Sequence, residues 1–251
     1  MSARFFLLVS TAISIICTTP LSHGKSESRN GNEDQLKQTL AIETKRNHQA
    51  RGYGAARTEL FGTMALEQKN GEYFVRDVYC EKDFGADDFP SGEKPGPGKI
   101  PNANILNTEH TWPQSKFAGG ERETKKSDLH HLFPSDNDLN SVRGNASFGE
   151  VTQSLETLKC PQSKIGRAAN QSLVFEPPNS HKGNVARALF YFSIRYNLRI
   201  DFAQEADLKQ WHQLDPVDTA EIQRNDSIQQ FQGNRNPFID HPELVAMIGD
   251  F

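Results

Sequence analysis

The sequence predicts one α+β domain, mostly helical, behind an export signal and a polar leader. Three features point there. Asn184–Leu198 places Val185, Leu189, Phe192 and Tyr196 on one face by three- and four-residue steps, as an amphipathic helix does. Tyr73–Cys80, YFVRDVYC, alternates apolar and polar side chains like a half-buried strand. The length suits a single compact domain, and no internal repeat divides it.

From the N-terminus, residues 1–24 read as a secretory signal. Met1–Arg4 give a basic start, Phe5–Cys17 an apolar run too short to span a bilayer, and Thr18–Gly24 a polar end. Cleavage after Gly24 places the small residue Ser22 at the minus-three position. Ile15 and Ile16 before Cys17 are poor for a lipidation box. Residues 25–50, with KSESRNGNED at the front, are too polar to build a core and are expected to be a flexible leader; 51–251 form the domain. Once the signal leaves, two of the three cysteines remain, and in an oxidising compartment Cys80 and Cys160 are expected to pair. Two thiolates cannot build an all-cysteine zinc site. The formal charge is −4 and becomes one unit more negative when Arg4 leaves, which argues against coating nucleic acid by bulk electrostatics while leaving room for a local basic groove.

Within the domain, Ala55–Leu66 carries helical spacing and opens the fold, and Tyr73–Cys80 follows as the strand. Phe89–Asn104 holds four prolines and three glycines, so no helix or central strand runs through it. Leu129–Phe133 suits a short strand broken by Pro134. In SDNDLNSVRGN, Ser135 is expected to cap a helix answered by Asp138, with Leu139 and Val142 on one face and Gly144 as its stop. After the Asn184–Leu198 helix, Leu208, Trp211 and Leu214 mark another that ends before Pro216, and His212 carries no assigned role.

Taken alone, Glu109-His110 in NTEHTWPQSKF is an ordinary surface pair. Its setting changes that reading. A strand with Glu-His, a loop, a short strand with His and then a helix presenting Asn140 follow the order of a ββα-metal, or His-Me finger, core. EHTWPQS, SDLHHLFPSDNDLNSVRGN, KGNVARALFYFSIRY and QFQGNRNPFIDHPEL resemble, in sequence and order, the motifs of the bacterial endonuclease I family of exported nucleases. The resemblance covers most of Tyr53–Leu244.

The resemblance implies an exported, metal-dependent, sequence-nonspecific endonuclease. It would hydrolyse phosphodiesters in double- and single-stranded DNA, and in RNA, to leave 5′-phosphate ends in the periplasm or outside the cell. Glu109 and Asn140 correspond to metal ligands and His110 to the general base. Hard oxygens suit Mg²⁺, with Mn²⁺ or Ca²⁺ as alternatives, and a neutral imidazole with an ordinary pKa near ~6.5 accepts a proton from water. His130 matches the first histidine of the family's DLHHL position and is expected at the metal shell or on phosphate. His131 departs from the asparagine common there and is expected to be packed or partly exposed. Arg143 and Arg187 match family arginines, suited to phosphate or to a structural carboxylate. Asn234 and Asn236 are expected to secure loop backbone. No membrane association after signal removal and no obligate protein partner are expected.

Neighbours in a regular strand point to opposite faces, so Glu109 and His110 share a site only at a strand end or bulge; a straight paired strand would remove one of the two roles. Two other classes compete: an exported nucleic-acid-binding protein without turnover, and a zinc hydrolase built on His110, His130 and His131. The latter lacks the HExxH helix pair.

Overall fold

The computed structural model describes residues 25–251; the signal segment, 1–24, lies outside them. The chain begins with α1, Lys25–Lys45. The flexible leader is thereby corrected: through Lys45 it is helical, Leu40 is buried, and Leu36 and Ala41 pack against the same core. Average polarity misled because a few apolar side chains suffice when α5 offers them a face. Tyr53–Glu59 forms α2, which runs into a π-helical turn, Leu60–Met64, so the expected Ala55–Leu66 helix is present but changes pitch. Gly62 in that turn lies against the proline-rich loop, where a Cβ would stand 2.6 Å from the Gly98 nitrogen.

Strands β1 (Leu66–Lys69), β2 (Glu72–Arg76) and β3 (Asp83–Phe84) make an antiparallel sheet. The expected strand at Tyr73–Cys80 stops at Arg76, because Asp77 folds the next residues into a turn by accepting from the Tyr79 and Cys80 nitrogens. The same carboxylate accepts from the Asp136 nitrogen at 2.7 Å. Cys80 is bridged to Cys160, with Cα atoms 5.3 Å apart. Together these bonds tie the disulfide turn to the hairpin described next.

Strand β4 (Leu106–His110), helix α3 (Arg122–Ser127), strand β5 (Leu132–Asp136) and helix α4 (Asn137–Arg143) follow. β4 and β5 pair antiparallel from Leu106↔Asp136 to His110↔Leu132. The expected short strand is displaced: Leu129–His131 is a 3₁₀ turn, and Pro134 lies inside β5 rather than ending it. The cap also moves by one residue, since the Asp136 side chain accepts from the Asp138 and Leu139 nitrogens while Ser135 does not cap. Gly144 ends α4 with φ at 55°, a conformation natural to glycine. Val142 is exposed although Leu139 is buried.

Strands β6 (Ser147–Phe148), β7 (Gln153–Ser154), β8 (Lys164–Arg167) and β9 (Leu173–Glu176) form a sheet of order β6-β9-β8-β7, with β6 parallel to β9. The long α5, Asn179–Tyr196, is the spine of the larger core, which contains Val185, Leu189, Phe190, Tyr191 and Phe192. Helix α6 (Phe202–Leu214) buries Leu208 and Trp211 against it and stops before Pro216. Helices α7 (Thr219–Gln232) and α8 (Pro237–Asp240) complete the domain. A second apolar cluster gathers Ala56, Leu60, Phe61, Val75 and Phe84 with Leu106, Leu129 and Leu132. The β4–β5–α4 unit sits between the two cores, with Leu106 and Leu132 in one and Leu139 in the other. Among the described residues no helix is long and apolar enough to cross a membrane.

Candidate active site

A cleft of about 640 Å³ opens beside β4 and α4, lined in part by Tyr53, Glu109, His110, Gln114, Asn140 and Arg143. Its floor is stitched together by α4. The Asn140 amide donates to the Thr108 carbonyl at 3.2 Å, and three residues on, Arg143 donates to the carbonyls of His110 (3.0 Å) and Thr111 (2.6 Å). Positions three apart share a helix face, so both side chains reach the same strand.

The ladder is regular through His110, the straight pairing expected to remove one of the two roles. Both nevertheless line the cleft. β4 is paired on one edge only and ends at His110, so that residue stands at the strand end where the alternation of faces stops. Trp112-Pro113 then turn the chain into a 3₁₀ turn, Gln114–Lys116.

His110 is held from behind. Its Nε2 lies 3.2 Å from the Lys126 carbonyl, which can only accept, so Nε2 carries the proton and Nδ1 keeps its lone pair. That lone pair faces the Gln114 side-chain amide, 3.4 Å away. Burial, aided by the neighbouring His131, lowers the His110 pKa to about 3. The ring is therefore neutral at ordinary pH, the state a general base needs.

Glu109 is buried, as is its partner Arg143, with Oε1 2.8 Å from Nη1. Arg143 spends its directed hydrogen bonds on the two carbonyls, so the contact with Glu109 is a close ion pair and Oε1 retains acceptor capacity. Burial pushes the Glu109 carboxyl up, while Arg143 and then the Tyr79 phenol oppose it. Asn140, with its amide nitrogen on Thr108, leaves Oδ1 free. The residues thus fit a hard divalent cation: a carboxylate residue, Glu109, and an amide residue, Asn140, line one cleft, and Mg²⁺ commonly takes only one or two protein ligands beside water and phosphate.

The other expected residues, Arg143 apart, lie elsewhere. His130 is buried, its Nε2 3.3 Å from the Asn234 carbonyl and its ring against Tyr191, so it faces the core rather than the cleft. His131 is buried with Nε2 2.7 Å from the Lys125 carbonyl, and its ring stands 5.3 Å from that of His110. The 3₁₀ turn in place of a strand sets these directions. Arg143 borders the cleft but takes the carboxylate-bracing alternative. Arg187 does so more completely: fully buried, it pairs with Glu221 and donates to the Asp215 carbonyl, away from the cleft. Asn234 donates to the Thr44 carbonyl and Asn236 to that of Arg187, the backbone-securing positions expected of them. The three histidines of the zinc alternative turn to three different carbonyls, and among the described residues no group of three His, Cys, Asp or Glu side chains could hold a metal ion.

Sequence reasoning did not reach Tyr53, Gln114 or Lys126. Gln114 lies four residues beyond His110 inside the NTEHTWPQSKF stretch, a signal available in the sequence. Tyr53 and Lys126 arrive only by packing.

With this geometry in place, comparison with known proteins is decisive. The profile of the family described as Endonuclease I matches residues 32–243, which include every residue lining the cleft. The chain belongs to the endonuclease I family. Similar members include an extracellular ribonuclease of Bacillus subtilis (strain 168), 35% identical over 165 residues, covering 59% of this chain and 55% of the relative. An extracellular deoxyribonuclease of Aeromonas hydrophila is 30% identical over 161 residues, 57% of this chain and 69% of the relative. A periplasmic deoxyribonuclease of the same organism is 29% identical over 148 residues, 53% and 62%. The match thus spans little more than half the length of the Bacillus ribonuclease. The family match begins inside α1, in keeping with that helix being part of the domain.

Proposed function

We propose that this chain is an exported, divalent-metal-dependent endonuclease that hydrolyses phosphodiester bonds in DNA and RNA without sequence preference, leaving 5′-phosphate ends. The observation that carries the reading is the His110 ring, neutral and pinned at Nε2 by a backbone carbonyl, beside Glu109 and Asn140 in one cleft. His110 Nδ1 takes the proton of the attacking water, and the Lys126 carbonyl keeps the ring in the tautomer that permits it. Arg143 favours the ionised form of Glu109 against the burial that opposes it. Glu109 and Asn140 would hold Mg²⁺, or Mn²⁺ or Ca²⁺ in its place; such an ion supplies charge stabilisation to a phosphoryl group and its departing oxygen. Export rests on the N-terminal signal pattern and on relatives named extracellular or periplasmic. Substrate breadth rests on relatives named as ribonuclease and deoxyribonuclease. Lack of sequence preference accords with a site built for the backbone, since phosphate contacts carry no base information.

Digestion of plasmid, single-stranded DNA and RNA with Mg²⁺, and again with EDTA, tests the reading. His110→Ala is expected to lose about 10²–10⁴ in rate while still binding DNA. Near-native turnover in that variant would sink the mechanism. Binding without cleavage by the parent protein would favour the non-hydrolytic alternative.

A further inference from the structure

We propose that Arg57 and Lys126, gathered around the Tyr53 ring at the His110 side of the cleft, form a phosphate-binding subsite for the sugar-phosphate backbone next to the bond being cut. The inference rests on the nuclease reading and adds a grip on substrate that the candidate catalytic residues do not supply. Tyr53 lines the cleft, and its ring centroid is 5.4 Å from that of His110. The Arg57 guanidinium carbon lies 5.7 Å from the Tyr53 centroid and the Lys126 ammonium 4.7 Å from it. They come from different elements: Arg57 is four residues beyond Tyr53 on α2, and Lys126 belongs to α3, which packs on α2.

Among the described residues, neither side chain makes an ion pair or a hydrogen bond, and the buried Nε of Arg57 meets no acceptor. The surrounding cations are placed differently. Lys125 donates to the carbonyls of Ala118 and Gly120, Arg143 to those of His110 and Thr111, and Arg195 pairs with Glu121. The attraction of each cation to the π-face is modest, so both keep capacity for an anion. A nucleic-acid phosphate is the anion that a cleft containing His110, Glu109 and Asn140 would bring there. Lys126 also couples this subsite to the candidate base, because its carbonyl holds His110 Nε2 while its side chain lies over the Tyr53 ring.

The test is binding of a fluorescent single-stranded oligonucleotide to the full chain in EDTA, where no cleavage is expected, followed by anisotropy between 50 and 200 mM salt. Neutralising one cation that meets a phosphate should make the slope of log affinity against log salt shallower by about 0.7. Arg57→Gln and Lys126→Gln should each show that change, and the double variant about twice it. The charge-keeping swaps Arg57→Lys and Lys126→Arg should retain the parent slope, which separates an effect of charge from an effect of misfolding. Lys209→Gln, altering a cation paired with Glu205 on α6, controls for general charge. A double variant with the parent slope would overturn the subsite. An equal change of slope in the charge-keeping swaps would overturn it too. A parent protein that neither binds nor cleaves nucleic acid would instead overturn the nuclease reading itself.

Discussion

Replacing Arg143 with leucine removes the only cation paired with Glu109 among the described residues and leaves a carboxylate with almost no solvent contact. At 2.8 Å the pair attracts with roughly 6 kcal/mol at an effective dielectric of ~20. Breaking a buried pair by removing one partner typically costs about 3–5 kcal/mol. Two carbonyl hydrogen bonds, to His110 and Thr111, disappear with it. The sign of the pH dependence follows from Glu109, whose pKa is already raised by burial and rises further without Arg143. A carboxyl with a raised folded pKa is penalised while charged; the penalty shrinks as pH falls through that pKa and is gone only below the ordinary carboxyl range. The difference between Arg143→Leu and parent should therefore be largest at pH 8 and shrink towards pH 5. Urea unfolding in EDTA at the two pH values measures it. Adding Glu109→Gln should restore a large part of the stability at pH 8, as a double-mutant cycle reads directly. A destabilisation under about 1 kcal/mol at pH 8, or a pH-independent one that Glu109→Gln does not relieve, would refute the ion-pair account.

Two further outcomes are expected. Asn140→Asp exchanges the donor on the Thr108 carbonyl for a second acceptor, so it should melt lower than the parent in EDTA and regain stability on Mg²⁺ addition, whereas Asn140→Ala should show no such Mg²⁺ gain and a steeper metal requirement for cleavage. An unchanged Mg²⁺ dependence in Asn140→Ala would remove Asn140 from the site. The Cys80–Cys160 bridge spans a sequence separation of 80, so reduction or the double serine variant should cost on the order of 4 kcal/mol in the loop-entropy account. Alkylation of non-reduced protein that labels either cysteine would contradict the bridge.

The polar segment at the front of the domain shows where reading by composition stops. Its helix is amphipathic only in the sense that Leu36, Leu40 and Ala41 find α5, and nothing in its average polarity says so. The DLHHL stretch shows the same limit at finer scale. Alternation suited a strand, but the Asp128 side chain accepts from the His130 nitrogen and closes a 3₁₀ turn, and this exchanges which histidine approaches His110. Asn140 was legible as a helix-borne amide, since its three-residue offset from Arg143 follows from helical geometry. The carbonyls those two side chains would meet were not.

By itself the sequence determined the family, the mixed α+β class, the cysteine pair and the principal helix, and it singled out Glu109, His110 and Asn140 as the candidate chemistry-bearing set. Those are local properties: residue type, spacing and order along the chain. Only the tertiary structure decided that Arg143 braces Glu109, that Lys126 fixes the His110 tautomer, that His130 and Arg187 turn into the core, and that Tyr53, Arg57 and Lys126 meet beside the cleft. Each depends on which buried polar group lacks a partner after packing. That is set by residues tens of positions apart meeting where water is excluded and an unmet hydrogen bond or charge is costly.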